Sequence, residues 1–474
     1  EEPFMEPVKE FMSNLKLRLS YGTAGNNRIG NSLYETSYKA YSSGKYYGAG
    51  GEQNPHYTLN NEQLANPDLK WETTITRNIG LDFGFFNERL TGNIDYYWNT
   101  VKDLLIEQSI TAIGYKTMQQ NIGQTSNRGV ELTLNAAILQ KKDYSLNFNF
   151  NIGFNKNKVD KLANGISSMS YNSGAFSSDM RGRDDYRVIV GEPLGIVWGY
   201  VYDGVYGVDD FVTYTDENGK TQFQFDKSGN YILKEGVTDN TYTTASSYGG
   251  LRPGAMKLKD QDGDHKITEK GDRVIIGRTQ PKFTGGFGLS GNYKWFDISA
   301  NFNFVVGNDV YNMDKMVSSQ SYRNSYANLR AEMAPVTLGG KAWTYLDQSN
   351  GTIITDYETL KAMNANASYW SAATMSDNNP VPTSWAVEDG SFLRLQNLTV
   401  GFTLPKDWTK KFACNQFRLY CTLNNLFCLT GYDGYDPEVN SAIRNSKTSG
   451  VTPGADFSAY PKSFSWTAGV NITF

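Results

Sequence analysis

The residues best suited to chemistry lie in one short run, Asp260-Gln-Asp-Gly-Asp264. Carboxylates at the first, third and fifth positions of a tight loop can converge on one hard cation. The backbone carbonyl of Lys266 and the later acid Asp272 would complete the oxygen shell. Ca²⁺ or Mg²⁺ is the cofactor this spacing suits. The run departs from an EF-hand: His265 stands where the turn glycine belongs, Gly263 comes early, and Gly271 occupies the last ligand position. A bound ion would stiffen a long loop rather than react, and a solvated Asp/Gly turn is the alternative.

Aromatic side chains form the second group. Tyr46, Tyr47, Trp343, Trp370, Trp385, Tyr432 and Tyr435 fall between the regular segments of the chain. A ring offers a sugar or a peptide an apolar face with a polar rim, so these seven are candidate substrate contacts. Local packing is the alternative for each. Trp71, Trp98 and Trp295 stand at the ends of patterned segments and read as a membrane-interface girdle. Asp433 and Asp436 are the one pair imaginable as a glycosidase centre, which needs two acids about 5–9.5 Å apart. No apolar pocket is evident around them, and the chain has neither a G-x-S-x-G elbow nor a phosphate loop. An enzyme is not expected.

These groups need a scaffold, and composition limits which. The chain has 474 residues, 31 Tyr, 25 Phe and 46 Gly, with a net charge of −4 that gives no nucleic-acid footprint. Two histidines are too few for most His-based sites, and Cys414, Cys421 and Cys428 match neither a disulfide framework nor a zinc motif. No apolar run reaches the ~18 residues a membrane helix needs. The opening residues carry no export leader, so an exported protein would here be a processed or partial piece.

The pattern that does recur is alternation. In the last segment Phe464, Trp466, Ala468, Val470, Ile472 and Phe474 share one face, while Ser, Thr, Gly and Asn occupy the other. The same period of two runs through 15–22, 78–85, 90–98, 130–136, 146–154, 283–293, 296–304, 397–404 and 417–424. With Ile196 to Tyr206 added, about ten or eleven strands of membrane-spanning length result. Short turns (87–88, 140–143, 294–295, 405–415) alternate with long loops (23–75, 99–127, 155–195, 207–280, 305–390, 426–462). Short turns at one end and long loops at the other describe an outer-membrane barrel. Repeated Asn on the inward faces suits a hydrated lumen better than a packed core.

Several blocks resemble the SusC/RagA-like TonB-dependent transporters. They are Leu15 to Asn26, Asn66-Pro-Asp-Leu-Lys-Trp-Glu-Thr73, Asn121-Ile-Gly, Asn127-Arg-Gly-Val-Glu-Leu132 and Asn155-Lys-Asn-Lys-Val159. Val190-Gly-Glu-Pro-Leu-Gly195, Gly277-Arg-Thr-Gln-Pro281, Phe392-Leu-Arg-Leu-Gln-Asn397, Asn425-Leu-Phe427, Gly434-Tyr-Asp-Pro-Glu438 and the terminal strand continue the series in order. The resemblance implies an all-β fold, a transmembrane antiparallel β-barrel with long extracellular loops, the chain supplying ten or eleven C-terminal strands of a 22-stranded barrel. It implies that 1–474 is the C-terminal part of that barrel, with the plug domain and the TonB-contacting segment absent from this chain. Asp-rich loops followed by Ile-Thr occur at this place in that family. The expected partners are an N-terminal plug and barrel portion, TonB, outer-membrane lipid and a SusD-like surface lipoprotein as lid. The expected function is import of an oligosaccharide or peptide, against a passive porin or a secreted glycan-binding β-protein. Loops 207–280 and 305–390, with a short helix at 323–333, are expected to dock the lid.

Overall fold

The computed structural model describes residues 7–8, 10–26, 33–35, 38–40, 57–59, 63–112, 115–163, 165–173, 184–241, 251–318, 340–347, 349–371, 381–412, 414–438, 449–457 and 459–474. Ten strands form one antiparallel meander: β1 (Met12–Asn26), β2 (Glu72–Phe85), β3 (Leu90–Ala112), β4 (Tyr115–Gln140), β5 (Tyr144–Lys161), β6 (Phe283–Tyr293), β7 (Phe296–Val306), β8 (Phe392–Thr403), β9 (Gln416–Thr430) and β10 (Ser465–Thr473). Each pairs with its neighbours in chain order, and among the described residues β1 and β10 have one neighbour each.

Register fixes which face each side chain takes. Leu17, Leu81, Ile94, Leu132 and Ile152 are opposite one another across β1 to β5, and the next row inward in sequence is Arg18, Gly80, Asp95, Glu131 and Gly153. Across β5 to β9 the row Phe150, Phe287, Phe302, Leu395 and Phe427 adjoins Asn149, Gly288, Asn301, Asn397 and Asn424. The apolar parity lies open rather than packed: Leu17 is 63% exposed, Ile298 52% and Trp466 67%. A continuous apolar face of this extent facing water would be an aggregation surface; facing lipid it is the outside of a barrel. No helix among the described residues is long and apolar enough to cross a membrane.

All ten alternating segments lie in the sheet, but Ile196 to Tyr206 does not. It splits into Ile196–Gly199, in a four-stranded sheet with Val274–Arg278, Tyr186–Ile189 and Ser168–Tyr171, and Tyr202–Val205, paired with Met256–Leu258. The run is apolar on both parities, and Ile196, Val197, Tyr200 and Tyr206 are all buried. That is how a strand covered on both faces reads, whereas a lipid-facing strand must alternate. Residues 99–127, expected as a loop, mostly continue β3 and β4. The sheet projects well past the membrane there, since 23 residues at about 3.3 Å each exceed any bilayer core. Beyond the lipid nothing selects for alternation, so the sequence pattern fades while the hydrogen-bond ladder persists.

The packed cores lie at the long-loop end. One joins Tyr186, Val197, Leu258, Tyr311, Met316 and Ala455, and a second joins Tyr206, Phe211, Phe223, Trp343, Tyr357 and Leu360. Loops far apart in sequence are therefore one structured crown on the sheet. Phe150→Arg is expected to lower the unfolding free energy of the refolded receptor by ~2–4 kcal/mol in urea titrations, because a charge would meet lipid near mid-membrane. Asn149→Ala, on the adjacent inward position, should change it little; equal losses at both would contradict this register.

Candidate functional site

The inner wall carries charge laid across glycine. Arg18 Nε lies 2.9 Å from both Asp82 oxygens, and its Nη2 donates to Asp95 Oδ2 at 2.9 Å, two strands away. Between them is Gly80, where a Cβ would stand 2.7 Å from Arg18 Nη2 and 2.5 Å from Asp95 Oδ1. The missing side chain gives the guanidinium its path. On the other flank Arg418 bonds both oxygens of Asp297 across Gly401. Asn301 Nδ2 donates to Asn397 Oδ1 at 2.8 Å, and the Thr399 and Thr422 hydroxyls are 2.9 Å apart. A polar recess of about 490 Å³ opens from this wall, lined by Asn78, Tyr97, Asn99, Asn127, Glu131 and Asn155 among others. Asn78, Tyr97 and Glu131 were legible as inward-facing by parity, whereas Asn99, Asn127 and Asn155 fell in segments read as loops, and nothing in the sequence grouped the six.

At the crown the sequence blocks meet in three seams. In the first, Asn66 Nδ2 donates to the Gln119 carbonyl, while Asn121 exchanges hydrogen bonds with both backbone groups of Lys70 and donates to the Asp103 carbonyl. Asp103 takes φ +57° at a break in β3–β4 register, so Asn121 caps a bulge. Glu72 accepts from the Leu105 amide and from Asn26. In the second, Asn157 Oδ1 accepts from the Leu194 amide, Arg278 bonds Glu192, and Thr279 donates twice to the Gly195 carbonyl. The Arg278 hydrogen bond holds the Glu192 carboxyl below its ordinary pKa.

The third seam is buried. Arg394 is 4% exposed, with Nη2 2.6 Å from Asp436 Oδ1. Its Nε lies 2.9 Å from Glu438 Oε2, out of line for a hydrogen bond, and Nη1 donates to Asn425 Oδ1. Lys462 Nζ reaches Glu438 Oε2 at 2.6 Å, and its amide donates to Asp436 Oδ2. Asn425 adopts φ +53°, and the β8–β9 register breaks beside it; this turns its amide toward the cluster. Asp436, considered from sequence beside Asp433 as an acid pair, is thus the partner of a guanidinium, while Asp433 is exposed.

The aromatic candidates divide by burial. Trp343 is 7% exposed and lies against Gly254, whose φ of +82° and lack of Cβ make room for the indole. Trp370 is buried, its ring 4.3 Å from that of Trp385. Trp385 also carries Lys315 Nζ at 4.8 Å, which in turn reaches Glu388 Oε1 at 2.8 Å. Tyr432 is buried and donates to Asp456 Oδ2 at 2.6 Å; burial raises its phenol pKa. Trp343, Trp370 and Tyr432 are thus buried within the crown, the local packing weighed for them beside substrate contact. Tyr435 is exposed, and Tyr46 and Tyr47 lie outside the described residues, as does the segment 323–333.

The acidic loop has a geometry compatible with a cation. One oxygen from each of Asp260, Asp262 and Asp264 lies within 4.8 Å of the others, which is about twice a Ca²⁺–oxygen distance. Asp260 accepts from the Gly263 amide (2.7 Å) and the His265 amide (2.8 Å), and the Gly263 bond leads in lowering its pKa. Asp262 moves the other way: the Asp264 amide bond lowers its pKa, but desolvation and the carboxylates of Asp264, Asp272 and Asp260 outweigh it. Asp272 is buried and committed to the amides of Gln261 and Thr268 at 2.8 and 2.7 Å, so it closes the loop from behind.

Removing the buried cation should be the most damaging single change at this rim. Arg394→Met is expected to cost ~3–5 kcal/mol by leaving Asp436 buried and unpaired. Hydrogen exchange across 431–438 should accelerate, and Arg394→Met with Asp436→Asn should recover part of the loss. Unchanged protection would show that this ion pair does not hold the loop.

Comparison with known proteins follows the same lines. The family model described as TonB dependent receptor-like, beta-barrel matches residues 10–254. TonB-dependent receptor P39 of Formosa agariphila is 30% identical over 100% of this chain and 41% of its own length. TonB-dependent receptor SusC of Bacteroides thetaiotaomicron is 28% identical over 100% of this chain and 39% of its own. The chain thus spans about two fifths of the length of these curated relatives. The solved RagAB peptide transporter superposes with a TM-score of 0.64 at 23% identity, over 98% of this chain and 41% of that one, a likeness of fold. With the sheet, its parity and these matches together, the chain belongs to the TonB-dependent receptor β-barrel family and is a protein of the outer membrane.

Proposed function

We propose that this chain is part of the wall of a lidded, energy-coupled importer for an oligosaccharide or a peptide too large for a porin. The plug and the coupling to TonB come from the remainder of the receptor, and a SusD-like surface lipoprotein closes the mouth. The observation that carries this reading is the crown. Its loops fold around two apolar cores and are tied to the rim by the Arg394 cluster, a cost in ordered structure that a passive pore does not require. RagAB is a peptide transporter, which makes a peptide a natural cargo to test beside glycans.

The crown still presents apolar side chains to water: Ile353 is 74% exposed, Tyr214 53%, Phe225 48% and Leu346 45%. These, with Tyr435, are the docking contacts we assign to the lid, in an interface of roughly 2,000 Å² or more as permanent assemblies have. Purifying the intact receptor from native membranes should co-isolate the lipoprotein. Ile353→Asp with Phe225→Asp should weaken that association at least tenfold while leaving the barrel heat-modifiable on gels. A receptor that purifies alone and conducts ions as an open pore in planar bilayers would favour the porin instead.

The Asp260–Asp262–Asp264 cluster we assign to Ca²⁺ or Mg²⁺, held by the three carboxylates and serving to stiffen the loop between Leu258 and Val274. Calcium should protect this loop from protease nicking in the parent receptor and not in Asp260→Ala with Asp262→Ala. No calorimetric heat from millimolar Ca²⁺ would identify the loop as a solvated turn.

A further inference from the structure

The short connections of the sheet share a feature that neither transport nor lid docking uses. Arg89 lies in the first, Lys141 and Lys142 in the second, Lys294 in the third, and Lys406, Lys410 and Lys411 in the fourth. All seven are exposed. Among the described residues, the acids in or beside these connections are Glu10, Glu88, Asp143 and Asp407. The balance reverses in the crown, where residues 184–280 carry sixteen carboxylates against eleven Lys and Arg. A chain of net charge −4 therefore has a basic end, and it is the end of the short turns.

Each of these connections also carries or adjoins an exposed ring. Tyr293 (60% exposed) and Trp295 (47%) flank Lys294, whose Nζ is 5.5 Å from the Tyr293 ring centre. Tyr144 follows Lys142 by two positions, Trp408 follows Lys406 by two, and Phe86 precedes Arg89 by three; all three rings are exposed. Exposed rings at strand ends sit at the boundary between hydrocarbon and headgroups. Two or three residues span at most about 10 Å, which places the ammonium groups at the depth of the lipid phosphates. Lys side chains extend their charged ends toward that layer.

We propose that this basic rim binds the anionic headgroups of phospholipids in the periplasmic leaflet, and so holds the barrel at a fixed depth. Charge complementarity selects an anionic headgroup over a zwitterionic one. The ring-defined depth selects a lipid over polymers deeper in the periplasm. At physiological salt, screening over about 8 Å leaves only groups at the headgroup layer within reach of these lysines.

Native mass spectrometry of the intact receptor, extracted with a matched mixture of phosphatidylglycerol and phosphatidylethanolamine, tests this. The parent should retain phosphatidylglycerol in at least fivefold preference, and the preference should fall with added salt. Replacing Lys141, Lys142, Lys294, Lys406, Lys410 and Lys411 by Gln should abolish it. Replacing Lys220, Lys227, Lys234, Lys259, Lys266 and Lys270 of the crown by Gln should not. Should the six-fold rim variant fail to assemble, Lys141→Gln with Lys142→Gln is expected to reduce the preference measurably on its own. Equal retention of both lipids by the parent, an unchanged preference in the rim variants, or equal loss in the crown variant would overturn the proposal. Binding of the rim to isolated peptidoglycan with no lipid preference would likewise overturn it.

Discussion

Backbone hydrogen bonding in hydrocarbon is the constraint from which the rest of the structure follows. A strand in lipid has no water to satisfy its N–H and C=O groups, and each orphan costs several kcal/mol. The ten-strand meander answers this laterally, strand by strand, and the alternation of side chains follows from it. The outer edges of β1 and β10 are the places where the answer is incomplete among the described residues. In a membrane those edges require bonding partners, in each other or in further strands.

Once the ladder is fixed, the inward face becomes a surface with its own rules. Apolar packing is not available there, so side chains satisfy one another: Arg18 spans to Asp82 and Asp95, Arg418 to Asp297, and Asn301 to Asn397. Glycines at Gly80 and Gly401 let long side chains lie flat against the wall, which keeps the lumen wide. The crown obeys the opposite rule. It is in water and builds ordinary apolar cores, into which Trp343 and Trp370 disappear.

This difference explains what the sequence disclosed. The spanning strands were legible because lipid on one side and water on the other impose a period of two, as in Phe464 to Phe474. The double-sided burial of Ile196 to Tyr206 imposes no such period, and the overhanging parts of β3 and β4 impose none either. The motif blocks were visible as text but not as geometry: nothing local reveals that Arg394, Asn425, Asp436 and Lys462 close on one another. Aromatic residues were the weakest guide, since a ring in a Gly-rich segment reads alike whether it faces solvent or a core.

The make-up of the crown bears on the order of assembly. Tyr186, Tyr311 and Ala455 share one core although they are separated along the chain by complete strands of the sheet. Contacts of such high sequence separation carry a loop-closure cost that is met late in folding. The segments reach one another only after the strands between them have been threaded into register. Crown formation thus depends on register: a strand missing or slipped by one position leaves Tyr186 and Ala455 apart and their apolar surfaces uncovered.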